Sequence, residues 1–380
     1  MRRSLGTLAT AVAGTMVAGL LTALGTPPAE AALPRLRVST VVGGLDHPWD
    51  VEPLPKGRLL VTERGGRLSI VRAGRKRPVR LAGAQLVSRG ETGLMAVEAD
   101  PRFTRNRRIY TCQGWRAGGS QDVRVTAWKL GPKLRRARLV RTLVSGMPIS
   151  RSGRHGGCQL LIARDGSLLV GTGDATDETN PRNLSSLGGK TLRLHRFTGA
   201  AWPGNPFLSS PDARTRLIFT YGHRNVQGLT QRADGTLWSI EQGTDRDDEV
   251  NLLVRGGDYG WQPGPGYDED VPMTNHALPG TQQSARWSSG VPTDATSGGT
   301  FLPRRGWRGL NGWLAVAALK HSKLILLRFD RSGRLTAERS ALTGHGRLRT
   351  AVVARNGDLL VTTDNGDGED RILRVRRPSR

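Results

Sequence analysis

One pattern recurs along the whole chain: a glycine turn, a short apolar strand, then a polar and often acidic turn. It is clearest in LPKGRLLVTERGGRLSIVR (54–72), ARDGSLLVGTGD (163–174), RADGTLWSIEQG (232–243) and ARNGDLLVTTDNGDGEDRILRV (354–375). Weaker copies are NRRIYTCQGW (106–115) and NGWLAVAALKHSKLILLRF (311–329). The Asp-Gly and Asn-Gly pairs at 165–166, 234–235 and 356–357 are hairpin turns, since both residue types tolerate the positive φ that tight hairpins require. Helical periodicity is nearly absent, and short apolar runs bounded by Gly, Pro, Asp and Asn read as strands. Six units at about 58 residues each fit the size of a propeller blade with long loops. The expected fold is therefore all-β, a six-bladed β-propeller of four-stranded antiparallel sheets. Repeated sheets around an axis also protect their edges. A pair of β-sandwiches competes, but recurrence over the whole length favours the propeller, and no linker-like shift in composition divides residues 32–380.

The first 31 residues read as a signal peptide outside that repeat. Arg2 and Arg3 supply a positive start, Leu8–Leu24 is apolar, and Ala29-Glu30-Ala31 is an A-x-A cleavage site. The apolar stretch is too short and too rich in small residues for a membrane span. The mature chain is thus expected to be secreted, extracellular or held at the cell envelope. Export bears on Cys112 and Cys158, the only two cysteines. An oxidising compartment favours a disulfide between them over two buried free thiols, tying the IYTC strand (109–112) to the loop that carries His155.

Lys and Arg outnumber Asp and Glu by 57 to 32. Basic clusters stand at 75–80 (RKRPVR), 134–141 (LRRARLVR) and 374–380 (RVRRPSR). Export, few aromatics and no recognisable nucleic-acid module argue against a nucleic-acid partner. Solvated surface charge is the default. Electrostatic association with an anionic cell envelope, or steering of an acidic ligand, is the functional alternative.

Several polar segments break the apolar pattern. SRSGRHGGCQ (150–159) sets His155 among glycines, which let backbone and ligand come close. YGHRNVQGL (221–229) carries Arg224 and Asn225, ALKHSKL (318–324) brings Lys320, and GHGRLRT (344–350) brings Arg347 and Arg349. These cations, placed on loops of different blades, suit one polyanionic small ligand, because Arg forks match planar carboxylates. EQGTDRDDEVN (241–251) is an acidic loop offering carboxylates and carbonyls, the hard oxygen donors that calcium prefers. It is not a twelve-residue EF-hand loop.

Taken with GLDHPWDVEPLPKGRLLVTERGGRL, GETGLMAVEADPRF and the segment ending in YGW, in this order and spacing, these motifs resemble the soluble pyrroloquinoline quinone (PQQ)-dependent aldose sugar dehydrogenases. The likeness runs from GLDHPWD (44–50) to near Val375. It implies a six-bladed propeller, PQQ and calcium (Ca2+) as cofactors, a small aldose substrate and an external electron acceptor. In that likeness His155 matches the general base for the anomeric hydroxyl. Arg224 and Asn225 match PQQ contacts, with Arg224 stabilising negative charge on the reduced quinone. Lys320, Arg347 and Arg349 match partners of its carboxylates, and Thr296 lies near a further contact. The carbonyls of Gly243 and Thr244 fall where calcium bridges to PQQ, and Glu249, Tyr259 and Glu269 resemble a second, structural calcium site.

The chain also departs from the family pattern. Glu91 replaces a glutamine that commonly faces the cofactor, and Thr244 replaces a proline. Cys158 and Gln159 stand for a glycine and an arginine, and Arg154 stands where glucose-specific members carry aspartate. Glu91 and the altered His155 flank keep a second expectation open, a non-catalytic secreted propeller that binds carbohydrate or protein. A calcium-dependent lactonase ranks last, since the central contributors are basic.

Overall fold

Each of the six recurring segments supplies the second strand of one sheet: 58–63, 108–117, 167–172, 237–241, 314–318 and 359–363. The turn ahead of it returns the chain from a first strand, so every repeat is the inner hairpin of a blade. The computed structural model describes residues 33–377, and the expected signal peptide lies outside them. The six antiparallel sheets have four strands each, and one carries a fifth, parallel strand (Arg80–Ala82) at its edge.

The first strands are β1 (Pro48–Leu54), β2 (Leu94–Ala99), β3 (Gly157–Ile162), β4 (Val226–Gln231), β5 (Thr296–Phe301) and β6 (Leu348–Val353). Each touches the next and β6 returns to β1, which closes a ring. This is the expected six-bladed β-propeller. The last blade is completed by the start of the chain: Arg37–Leu45 pairs antiparallel with Asp370–Arg376, matching Arg37 to Arg376 and Thr40 to Leu373. Two ends of the sequence are thereby joined by backbone hydrogen bonds.

Apolar side chains pack between neighbouring sheets. Met95, Tyr110, Val125, Leu160, Val170 and Ile218 form one such layer. Trp238, Ile240, Val316 and Phe329 form another. The Cys112–Cys158 disulfide is present and crosses between adjoining blades, with Cα atoms 5.7 Å apart. It anchors β3 at Cys158, three residues after His155. No helix among the described residues is long and apolar enough to cross a membrane.

The ring also forces acidic groups together. Asp50 and Glu52 on β1 lie near Glu98 on β2, and Asp50 accepts hydrogen bonds from the Val97 and Val51 amides at 3.1 and 2.8 Å. Burial raises Asp50 to about 6. Burial and then the neighbouring Asp50 charge raise Glu52 to about 8. Glu98 is pushed up by burial and by both of the other carboxyls.

The folded chain therefore holds protons that the unfolded chain releases near pH 4. Their stabilisation is complete below about pH 4 and is lost as pH rises through about 6 to 8. Thermal unfolding of wild type and Glu52→Gln should show this. The wild-type midpoint should fall between about pH 5 and 8, with a shallower fall in the variant; parallel curves would refute it.

Candidate active site

Because all six first strands run the same way, their starting ends meet at one mouth of the central channel. His47, Glu91, His155, Asn225, Thr296 and Arg349 stand at or just before these ends, one from each blade. The mouth holds a cavity of about 190 Å³, lined among others by Glu91, His155, Arg224, Gly243, Thr244 and Asp248.

His155 is buried, and its backbone is in the left-handed region at φ 52°. Its glycine flank is closely packed: a Cβ on Gly157 would lie 2.3 Å from the Gly173 nitrogen, and one on Gly173 would lie 1.9 Å from the His155 carbonyl oxygen. The Glu91 carboxylate accepts the His155 amide at 3.0 Å and holds this turn. The imidazole Nδ1 lies 2.8 Å from Asp174 Oδ1 and 2.9 Å from the Tyr267 hydroxyl. Asp174 accepts further bonds from Tyr267 (2.7 Å), the Trp261 indole (2.8 Å) and the Thr176 amide (2.9 Å). A carboxylate with this many donors is an acceptor, so the hydrogen-bond network assigns the proton to Nδ1 and leaves Nε2 with its lone pair. Arg154 Nη2 stands 3.4 Å from Nε2, on a side chain that is 56% exposed.

Arg224 is buried beside this pair. Its guanidinium bonds Glu269 through Nε (3.0 Å) and Nη2, and the Gln242 carbonyl through Nη1 (3.1 Å). Arg349 is likewise buried and held by Asp364 at 2.7 and 3.0 Å, with Trp49 stacked 4.0 Å away. Asp364 sits well below the usual carboxylate range, at about 2: burial alone would raise it, but Arg349 and His47 outweigh that. Arg349 Nη1 also reaches Gln227 (3.1 Å), and the Gln227 amide bonds Glu91. A polar chain thus crosses the mouth from His47 through Asp364, Arg349, Gln227 and Glu91 to the His155 backbone.

Asn225 is fully buried beneath that chain. It gives its amide hydrogens to Glu91 and Gln242, and its oxygen accepts the Gly157 amide. Thr296 is also buried, donating to the Glu241 carbonyl at 3.2 Å. Lys320 and Arg347 are exposed, and neither has a carboxylate partner among the described residues. Gln159 reaches Asp50 rather than the mouth.

The acidic loop turns tightly at Gly243, where a Cβ would lie 2.0 Å from the Arg246 carbonyl oxygen. Asp248 accepts the Gly243 and Thr296 amides, both at 2.9 Å. The Gly243 and Thr244 carbonyls accept no hydrogen bond among the described residues, while both residues line the cavity. Two uncommitted backbone oxygens on a pinned loop are a donor set that fits calcium.

The other three expected calcium residues are not brought together as side chains. Glu269 is drawn to the Arg224 guanidinium instead. The Tyr259 hydroxyl donates to the Leu252 carbonyl at 2.6 Å. Glu249 stays deep in the blade, raised to about 8 by burial and by Glu241, and bonds Asn251 and Thr274. Beside it the Asn251 side-chain oxygen is buried without a hydrogen-bond partner.

Sequence reasoning passed over Asp174, Tyr267, Trp261 and Gln227. Asp174 ends the GTGD of a recurring unit, and Tyr267 and Trp261 lie in the 256–270 segment, so residue type and position were visible while the pairing was not. Removing Asp174 orphans buried donors, each costing about 1–3 kcal/mol. Asp174→Ala should therefore lower unfolding stability by about 3–5 kcal/mol in urea titrations, and Tyr267→Phe by about 1 kcal/mol. Equal losses for the two would contradict this network.

A family model described as Glucose / Sorbosone dehydrogenase matches residues 45–374. The aldose sugar dehydrogenase YliI of Escherichia coli (strain K12) is 30% identical over 352 residues, covering 89% of this chain and 93% of that protein. The structure of the PQQ-bound form of aldose sugar dehydrogenase from Streptomyces coelicolor is 27% identical with a TM-score of 0.74, covering 91% of this chain and 99% of the other. The soluble aldose sugar dehydrogenase of Escherichia coli, in the apo-form, gives a TM-score of 0.81 at 27% identity, covering 90% and 100%. The fold, the mouth and these likenesses agree that the chain belongs to the glucose/sorbosone dehydrogenase family, whose members oxidise sugars.

Proposed function

We propose that this protein is a secreted quinoprotein that oxidises the anomeric hydroxyl of aldose sugars to lactones, using PQQ and calcium and passing electrons to an external acceptor. The observation that carries this reading is His155: a buried imidazole whose Nδ1–H is held by Asp174, leaving Nε2 on the cavity side where Arg224 and the uncommitted carbonyls also lie. PQQ bound at the mouth would supply the two-electron acceptor for hydride, and calcium on the Gly243 and Thr244 carbonyls would add Lewis-acid polarisation.

The chain's own residues do the rest. His155 Nε2 takes the hydroxyl proton, a task suited to an imidazole near neutral pH. As that proton leaves, the C1 hydrogen departs with its electron pair, and the C1–O bond becomes the lactone carbonyl. Asp174 keeps the ring oriented and stabilises the imidazolium that forms. Arg224 lines the same cavity and would offer positive charge to a reduced acceptor held there. Exposed Lys320 and Arg347 suit the carboxylates of the cofactor, with Arg349 deeper and already paired to Asp364. Asn225 and Thr296 support this surface from beneath rather than lining the cavity.

Glu91 does not disturb this arrangement. Its two oxygens are taken up by N–H donors of His155, Asn225 and Gln227. It acts as a strut for the His155 turn.

The test is dye-linked oxidation of an aldose panel by mature protein with calcium, with and without added PQQ. Activity should depend on PQQ and fall with calcium chelation. His155→Ala should lose about 10²–10⁴-fold in rate while still binding PQQ in a titration. Neither oxidation nor PQQ binding by wild type would sink the reading, leaving a secreted propeller that binds carbohydrate or protein.

A further inference from the structure

The three basic clusters that the sugar-oxidising site does not use converge in the folded chain. On the channel end opposite His155, past the far ends of β1 and β6, a cavity of about 580 Å³ is lined by Arg58, Arg72, Arg355, Arg374 and Arg376. A second cavity of about 230 Å³ adjoins it, shares Arg58, Arg72 and Ala73, and adds Arg75, Arg77, Lys133 and Arg135. Residues from 75–80, 134–141 and 374–380 thus meet along one groove, together with cations from turns far apart in sequence.

The gathering of cations with no carboxylate among them marks this groove. At other places on the protein several arginines sit against a carboxylate, as Arg196 does to Asp100 at 3.0 Å, Arg182 to Asp258 at 2.9 Å and Arg349 to Asp364 at 2.7 Å. No carboxylate residue lines either cavity. Among the described residues, Arg374 is the one of the nine cations in ion-pair distance of a carboxylate, Asp358 at 4.0 Å, while Arg355 also acts electrostatically on Glu52 beneath the groove. Arg374 Nε is also buried without a hydrogen-bond partner. Like charges gathered with so little compensation repel one another, and a bound polyanion relieves that repulsion.

The lining also narrows the partner. Ser39, Thr40 and Asn356 place neutral hydrogen-bonding groups between the cations, which suits the hydroxyls of a sugar chain. No aromatic residue lines either cavity to stack on bases. None of the exposed large hydrophobic residues lies there to enter a bilayer. The guanidinium fork matches a planar carboxylate in two bonds at once. We infer that this groove binds an extended polysaccharide bearing carboxylates, on the face away from the mouth, so that the His155 cavity stays open while the protein is held on the polymer.

Binding of the full chain to labelled polygalacturonate oligomers can be followed by fluorescence anisotropy at several salt concentrations. Arg72→Glu/Arg376→Glu should weaken binding by about tenfold or more and flatten its salt dependence. Arg305→Glu/Arg331→Glu, an equal charge change at exposed sites outside the groove, should have little effect. Thermal unfolding verifies that both variants fold. Equal loss in the two variants would mean that net charge alone attracts the polymer, and overturns the groove. So would absence of binding by wild type at physiological salt. Tighter, groove-dependent binding of duplex DNA or of phosphatidylglycerol vesicles would overturn the assignment of a polysaccharide.

Discussion

Everything at the mouth depends on ring closure. Backbone pairing of 37–45 with 370–376 turns six blades into a circle, and only a closed circle sets six first-strand ends at fixed distances from one another. Arg349 can then meet Gln227 across 122 positions of sequence, and Glu91 can meet Asn225 across 134. Single hydrogen bonds of this kind add only about 1 kcal/mol each. Their value lies in rigidity, since a site that moves protons and charge needs its groups held before substrate arrives.

The buried cations of the mouth are held in pairs of opposite charge. Glu269 holds Arg224, Asp364 holds Arg349, and Asp174 holds the His155 ring. Buried charges demand such partners, because an unpaired ion in a low-dielectric interior costs several kcal/mol. The glutamate at 91 fits the same logic. Three N–H donors converge on its carboxylate, including the backbone amide of His155 in its strained left-handed turn. A glutamine there would face two side-chain amides with an amide of its own, so the local network and this substitution go together.

The two ends of the channel differ in the same currency. At the mouth, the buried Arg224 and Arg349 are each paired with a carboxylate, Glu269 and Asp364, and the small cavity mixes signs. At the far end the arginines are largely uncompensated and the cavities are wider. The sulfur bridge between Cys112 and Cys158 ties two blades just behind His155, so the loop most in need of a fixed position is also covalently anchored.

Much of the fold was legible in the linear sequence. Glycine turns followed by apolar strands mark the inner hairpin of most blades, because turn chemistry and strand burial are local properties, while the second blade turns through 100–107 without a glycine. The count of six and the place of His155 followed from that. Pairings between blades were not legible. Asp174, Tyr267 and Trp261 meet around one imidazole from positions up to 112 residues away, and no local rule encodes that distance. The same holds for Glu269, which the family resemblance placed with a structural calcium site and which in the fold stands against the Arg224 guanidinium. Sequence alone determined the strands, their turns and the residue types offered to the mouth. The tertiary structure decided which carboxylate met which cation, because that choice rests on ring geometry and on the cost of leaving a buried charge alone.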